Sequence, residues 1–162
     1  MLGSTGLMRR FALLLLFVFG VGLAAEPDSI TVIGSNKDLS DGATALQFGD
    51  FEEGVRLTRR GLRFEASPRD RASGLSNLCA GYTALTQFVE AIESCSMAIE
   101  IDDGNWHAFN NRALAYLGQG DIDAAKRDLQ DGLRLKPDSG KLRQVSELIV
   151  AKESTPPVAT DD

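Results

Sequence analysis

Ala98-Ile99-Glu100-Ile101 and Gly132-Leu133-Arg134-Leu135 stand 34 residues apart, and Gly61-Leu62-Arg63-Phe64 stands 37 residues before the first of them. Each phrase closes an amphipathic stretch. A period in this range marks an array of helical hairpins, in which no unit buries its own apolar face alone. Between the phrases the chain breaks at Gly49-Asp50, Ala66-Ser67-Pro68, Thr86-Gln87, Asp102-Asp103-Gly104, Gly120-Asp121 and Lys136-Pro137-Asp138. The segments so defined have the length of ordinary packed helices. None sustains the period-two alternation of a strand. The reading is all-α.

Local signals agree with these breaks. Ser67 before Pro68 is an N-cap with proline at the first helical position, where its missing N–H costs nothing. Asp121 can cap the segment Ile122 to Leu135, and Pro137 stops it because proline cannot donate the helical hydrogen bond. Asp138 or Ser139 can cap a last helix with Leu142, Val145, Leu148 and Ile149 on one side. A helix with a single apolar stripe is what ends a stacked array, since its other face meets water.

The chain has 162 residues, 43% hydrophobic and 25% charged, with a formal net charge of -6 and a pI near 4.8. Such an acidic protein repels phosphate backbones, which argues against nucleic acid as a partner. Arg56, Arg59, Arg60 and Arg63 cluster locally and read as a solvated helix face. Arg9-Arg10, the apolar run Phe11 to Leu23 and the small pair Ala24-Ala25 form the pattern of a secretory signal peptide over residues 1–25. The rival reading is a retained anchor. The run of 13 residues, or 15 with the two alanines, falls short of the roughly 20 that a spanning helix needs. The expectation is therefore an exported protein, in the periplasm, with no stable membrane anchor after cleavage. Residues 26–37 read as an extended lead-in with the β-favouring run Ile30 to Ile33, and residues 154–162 as a disordered tail. In an oxidising compartment the two cysteines, Cys79 and Cys95, allow one pairing within the chain.

At this point the residues resemble tetratricopeptide repeats, units of 34 residues built from two antiparallel helices. Residues 106–139 place Phe109, Ala113, Tyr116, Ala125, Leu129, Gly132 and Pro137 at the family's positions 4, 8, 11, 20, 24, 27 and 32. Arg112 departs at position 7, which should weaken that packing contact. Residues 72–105 place Leu75, Leu78, Cys79, Tyr82, Ala91, Cys95 and Ala98 at positions 4, 7, 8, 11, 20, 24 and 27, with Asp103 instead of proline at 32. Residues 35–71 form a degenerate unit that keeps Gly42, Gly54 and Gly61 at the small positions but has Asp38 and Asp41 at positions 4 and 7. The resemblance implies a right-handed superhelix of about three hairpins over 38–153, with residues 139–153 as a capping helix.

It also implies a function. The first helix of each unit lines a concave groove, and the matching positions here are Ser73, Ser76, Asn77 and Thr83 in the second unit and His107, Asn110, Asn111 and Leu114 in the third. An amide side chain both donates and accepts, which suits it to hold an extended peptide backbone. The plainer reading is a set of solvated polar residues. Some relatives clamp a peptide's terminal carboxylate with Lys and Arg in this groove. The matching positions here are His107, Asn111, Leu39 and Ala43, and only Asn77 fits that clamp, so a neutral segment is favoured over an acidic tail. Cys79 and Cys95 fall on the two helices of one unit, either as buried apolar fillers or as a disulfide pinning those helices.

Catalytic constellations are lacking. His107 is the single histidine, the two cysteines lack a second pair, and neither a phosphate loop nor a dinucleotide fingerprint occurs. His107 beside Trp106 reads as helix-end packing. The expectation is a non-enzymatic scaffold without metal or cofactor that binds another protein or peptide. Two alternatives stand beside it, a structural subunit that self-associates through its degenerate first unit and a thiol-redox accessory protein.

Overall fold

The computed structural model describes residues 36–154. The signal pattern of 1–25, most of the 26–37 lead-in and all but the first residue of the tail lie outside the described residues. Seven helices and no strand occur among the described residues: α1 (Lys37–Gln47), α2 (Phe51–Gly61), α3 (Pro68–Ala84), α4 (Phe88–Ile101), α5 (Trp106–Gln119), α6 (Ile122–Leu135) and α7 (Gly140–Ser154). Lys37 is thus helical, and the lead-in gives way to helix one residue earlier than its expected bound.

The caps explain the starts. Asn36, Ser67, Asn105 and Asp121 each accept a hydrogen bond from the backbone N–H three residues on, satisfying a donor that the first helical turn leaves open. Ser139 does the same for Leu142 N at 3.4 Å, so of the two candidates it is the serine that starts α7. Within each hairpin the chain reverses through one left-handed residue: Gly49 (φ 83°), Thr86 (φ 59°) and Gly120 (φ 92°). These three turns keep the offsets of 37 and 34. Glycine takes that conformation freely, whereas threonine is strained in it by its branched Cβ.

Consecutive helices pack as antiparallel pairs, α1 on α2, α3 on α4 and α5 on α6, and each pair stacks on the next. α7 closes the array against α5 and α6. One core runs from Leu46 and Val55 through Leu75, Leu78, Cys79, Ala91, Cys95 and Ala98 to Ala108 and Ala115. A second joins Ala113, Leu117, Ala125 and Leu129 to Leu142, Val145 and Ile149 of α7. Leu148, expected on the same apolar stripe, is instead exposed. Gly132 lets α7 come close, since a Cβ there would meet Leu142 Cδ2 at 2.8 Å.

In the degenerate first unit the two aspartates are half-buried and ion-paired. Arg60 Nε donates to Asp38 Oδ2 at 2.7 Å, and Lys37 Nζ donates to Asp41 Oδ2 at 2.5 Å. The Arg60 guanidinium holds the Asp38 carboxyl below its ordinary range. Leu39, Ala43 and Leu46 fill the α1–α2 interface instead.

Candidate functional site

The inner faces of α3 and α5 meet through polar groups. Asn111 Nδ2 donates across the pair to the Ser76 carbonyl at 3.1 Å, and Asn110 Nδ2 donates to Asn111 Oδ1 at 3.2 Å. Ser76 and Asn77 are 0% exposed, Asn110 and Asn111 1%, and Thr83 3%. These five form a buried floor, which overturns the reading of solvated polar residues. Ser73, His107 and Leu114 are half-buried and form its rim. Thr83 spends its hydroxyl on the Cys79 carbonyl of its own helix at 2.8 Å, so it has a local role.

Two polar atoms of this site lack a partner. Asn110 Oδ1 and His107 Nδ1 are buried and accept or donate no hydrogen bond. They sit one helical turn apart on α5. The His107 ring stacks on Trp106 with centroids 3.7 Å apart, and burial lowers its pKa below the ordinary histidine value. The imidazole is therefore neutral at pH 7, and Nδ1 can serve as acceptor or donor. A buried polar group left unpaired costs about 1–3 kcal/mol, so each marks a place where a partner group would be stabilising.

Arg112 was expected to weaken its packing contact. It reaches across α5 to a different purpose, which the sequence reading missed. Its Nε and Nη2 donate to the two Asp128 carboxylate oxygens of α6, both at 2.8 Å, and Nη1 donates to Ser96 Oγ of α4 at 2.9 Å. Three helices are joined by one planar fork, a geometry that lysine cannot reproduce. The hydrogen bond to Asp128 raises the Arg112 pKa further, against the opposing effect of burial. The signal available in sequence was the pairing of an arginine and an aspartate on facing helices, at Arg112 and Asp128.

Cys79 of α3 and Cys95 of α4 are both 0% exposed, with Cα atoms 5.3 Å apart and their sulfurs at bonding distance. That spacing is the one a disulfide requires. Cys95 Sγ also lies 3.0 Å from the Ala108 carbonyl of α5. Among the described residues no three His, Cys, Asp or Glu side chains gather to hold a metal ion, and no helix is long and apolar enough to cross a membrane.

No protein-family model matches the chain. Among curated proteins it is similar to mouse sperm-associated antigen 1, with 31% identity over 105 residues, covering 65% of this chain and 11% of that protein. The chain thus spans about a tenth of this longer relative. Among solved structures it is similar to the second TPR domain of human RPAP3 in complex with the HSP70 peptide SGPTIEEVD, with a TM-score of 0.62 and 23% identity over 70% of this chain and 92% of that one. It is also similar to the Sgt2 TPR domain from Aspergillus fumigatus, with a TM-score of 0.66 and 23% identity over 86% and 92% of the two chains. The fold is that of tetratricopeptide-repeat domains.

Proposed function

We propose that this chain is a non-enzymatic interaction scaffold, exported to the cell envelope, which holds a neutral extended peptide segment of another protein along the concave face that α3 and α5 line. The observation that carries the reading is the amide floor of Asn77, Asn110 and Asn111 with its unpartnered Asn110 Oδ1. A peptide backbone presents alternating donors and acceptors, the groups that such a floor can pair. The RPAP3 domain is bound to a chaperone peptide, which supports a peptide as the ligand class. That peptide ends in three acids among its last four residues, Glu-Glu-Val-Asp. Here the corresponding clamp positions carry no cation: Leu39 and Ala43 are core residues, and Asn111 and neutral His107 offer hydrogen bonds without charge. A neutral segment fits better.

Export rests on the signal pattern at 1–25, and an oxidising compartment is where the Cys79–Cys95 pair would be closed as a structural disulfide. Complete burial of both sulfurs speaks against a redox-exchange role, which needs an accessible thiolate. Self-association has one observation in its favour: Phe48, which caps the end of α1, and Phe64, just past α2, are 83% and 61% exposed. Light scattering across a dilution series tests it, a stable oligomer being the supporting result.

The peptide reading is tested by fluorescence polarisation with two labelled peptide pools of equal length, one neutral and one ending in Glu-Glu-Val-Asp. Binding confined to the neutral pool, and weakened at least tenfold by Asn111→Ala, is the expected outcome. Preference for the acidic tail would overturn it.

A further inference from the structure

The second helices of the first two hairpins carry opposite charge at matching positions. α2 and the residues just past it hold Arg56, Arg59, Arg60 and Arg63. α4 and the turn after it hold Glu90, Glu93, Glu100, Asp102 and Asp103 and no basic residue. The offset of 37 between the two units sets Arg56 level with Glu93, Arg60 with Met97, Arg63 with Glu100 and Phe64 with Ile101. These eight side chains are all exposed. Arg56 and Arg63 stand about two turns apart, as do Glu93 and Glu100, so each pair shares one face of its helix.

Within the chain these charges do not meet. α1, α3, α5 and α7 touch one another in sequence, whereas α2 and α4 barely meet. Among the described residues no ion pair joins α2 to α4, Arg59 and Arg63 form none, and neither do Glu90, Glu93 and Glu100. The four arginines line a hollow of about 290 Å³, and α4 exposes Val89, Met97 and Ile101 beside its acids. One helix thus presents what the other lacks, in the same register.

We infer that the partner of this face is a second copy of the chain, related by a two-fold axis that runs along the helices between α2 and α4. The two helices hold the same place in consecutive hairpins and so run the same way. Such an axis lays α2 of each copy over α4 of the other at equal height. Arg56 then meets Glu93 of the second copy, Arg63 meets Glu100, and Phe64 packs on Ile101. Both copies are satisfied at once, so the contact closes at two chains. Exposed ion pairs contribute little affinity, so they set the register while the apolar contacts hold it. The like-charged matches, Glu53 with Glu90 and Glu65 with Asp102, fall at the two ends of this face. The inference gives the self-association described above a surface, and it is independent of the peptide groove.

Sedimentation equilibrium of the full chain, expressed with its leader, tests it across dilution and salt. The expected mass is that of two chains, with an affinity at least tenfold weaker in high salt. Arg56→Glu with Arg63→Glu in one chain, and Glu93→Arg with Glu100→Arg in another, should each give monomers with unchanged circular dichroism. Mixing the two should restore the dimer, because each offers the sign that the other lacks, and a chain carrying all four substitutions should dimerise with itself. A monomeric wild-type chain, a dimer that persists in either variant, a mixture that stays monomeric, or a mass growing beyond two chains overturns the inference. A monomer whose arginines bind a polyglutamate peptide also overturns it, since the occupant would then be an acidic partner. Each of these outcomes leaves the peptide groove standing, which Asn111→Ala tests separately.

Discussion

The first two hairpins reach the same close approach of their helices by opposite means. α1 and α2 do it by subtraction. A Cβ at Gly42 would stand 2.9 Å from the Thr58 backbone nitrogen, one at Gly61 2.9 Å from Leu39 N, and one at Gly54 3.0 Å from Leu46 N. α3 and α4 do it with a sulfur pair placed for linkage, Cys79 facing Cys95 at a Cα separation of 5.3 Å, and with Ala91 and Ala98 buried alongside. A missing atom leaves the unfolded chain freer, whereas a covalent link restricts it. The two hairpins should therefore differ in where their stability resides.

The largest test of that contrast is to open the linkage. Cys79→Ala with Cys95→Ala should cost about 3 kcal/mol, the entropy expected for a short closed loop, read as a lowered midpoint in denaturant. An equal midpoint in reduced wild-type chain and in unreduced wild-type chain would show that the sulfurs are fillers. Next comes addition to the hairpin with the three glycines. Gly42→Ala meets backbone on the facing helix and should cost about 1–3 kcal/mol, while exchange protection in α5 and α6 holds. An unchanged midpoint would mean that α1 and α2 separate without loss.

Smaller effects sharpen the comparison at the turns. Thr86 strains the second hairpin where Gly49 relaxes the first. Thr86→Gly should therefore raise stability, by about 1 kcal/mol or less once the added freedom of the unfolded chain is deducted. A destabilisation would show that the threonine side chain contributes more than its strain. The smallest effect belongs to His107. Burial lowers its folded pKa, so above the ordinary histidine range protonation does not distinguish the two states. As pH falls through that range the unfolded chain takes up the proton first, and stability declines until the folded pKa is passed. His107→Gln should flatten that acid slope, which stays well under the roughly 1.4 kcal/mol per pH unit of a whole proton. An identical slope in thermal melts from pH 7 to 5 would assign it elsewhere.

The helical breaks were legible because each rests on local chemistry: Gly49, Pro68, Gly120 and Pro137 act on their own backbone. The small packing positions were legible for the same reason, since Gly42, Ala91, Ala98, Ala125 and Gly132 each say that something comes near. What could not be read locally was the fate of polar groups. Arg112 looked like a defect until Asp128 and Ser96 were seen beside it. Asn110 and Asn111 looked solvated because burial of an amide depends on which partner faces it, and Ser76 lies 35 residues from Asn111. Leu148 looked internal because a helical stripe has soft edges and α7 meets neighbours on one side alone.

The cysteine pair has a mechanical side. The two residues are separated by sixteen positions, and a bond between them would stay within one hairpin. A pull on the two ends of the chain could peel α1 and α2 from one side and α5 to α7 from the other. With the bridge closed, the residues between the sulfurs would withhold about 50 Å of contour from the stretched chain. Tension would thus dismantle the flanks and spare the tether's middle, leaving a shortened rope with a knot-like bead at its centre.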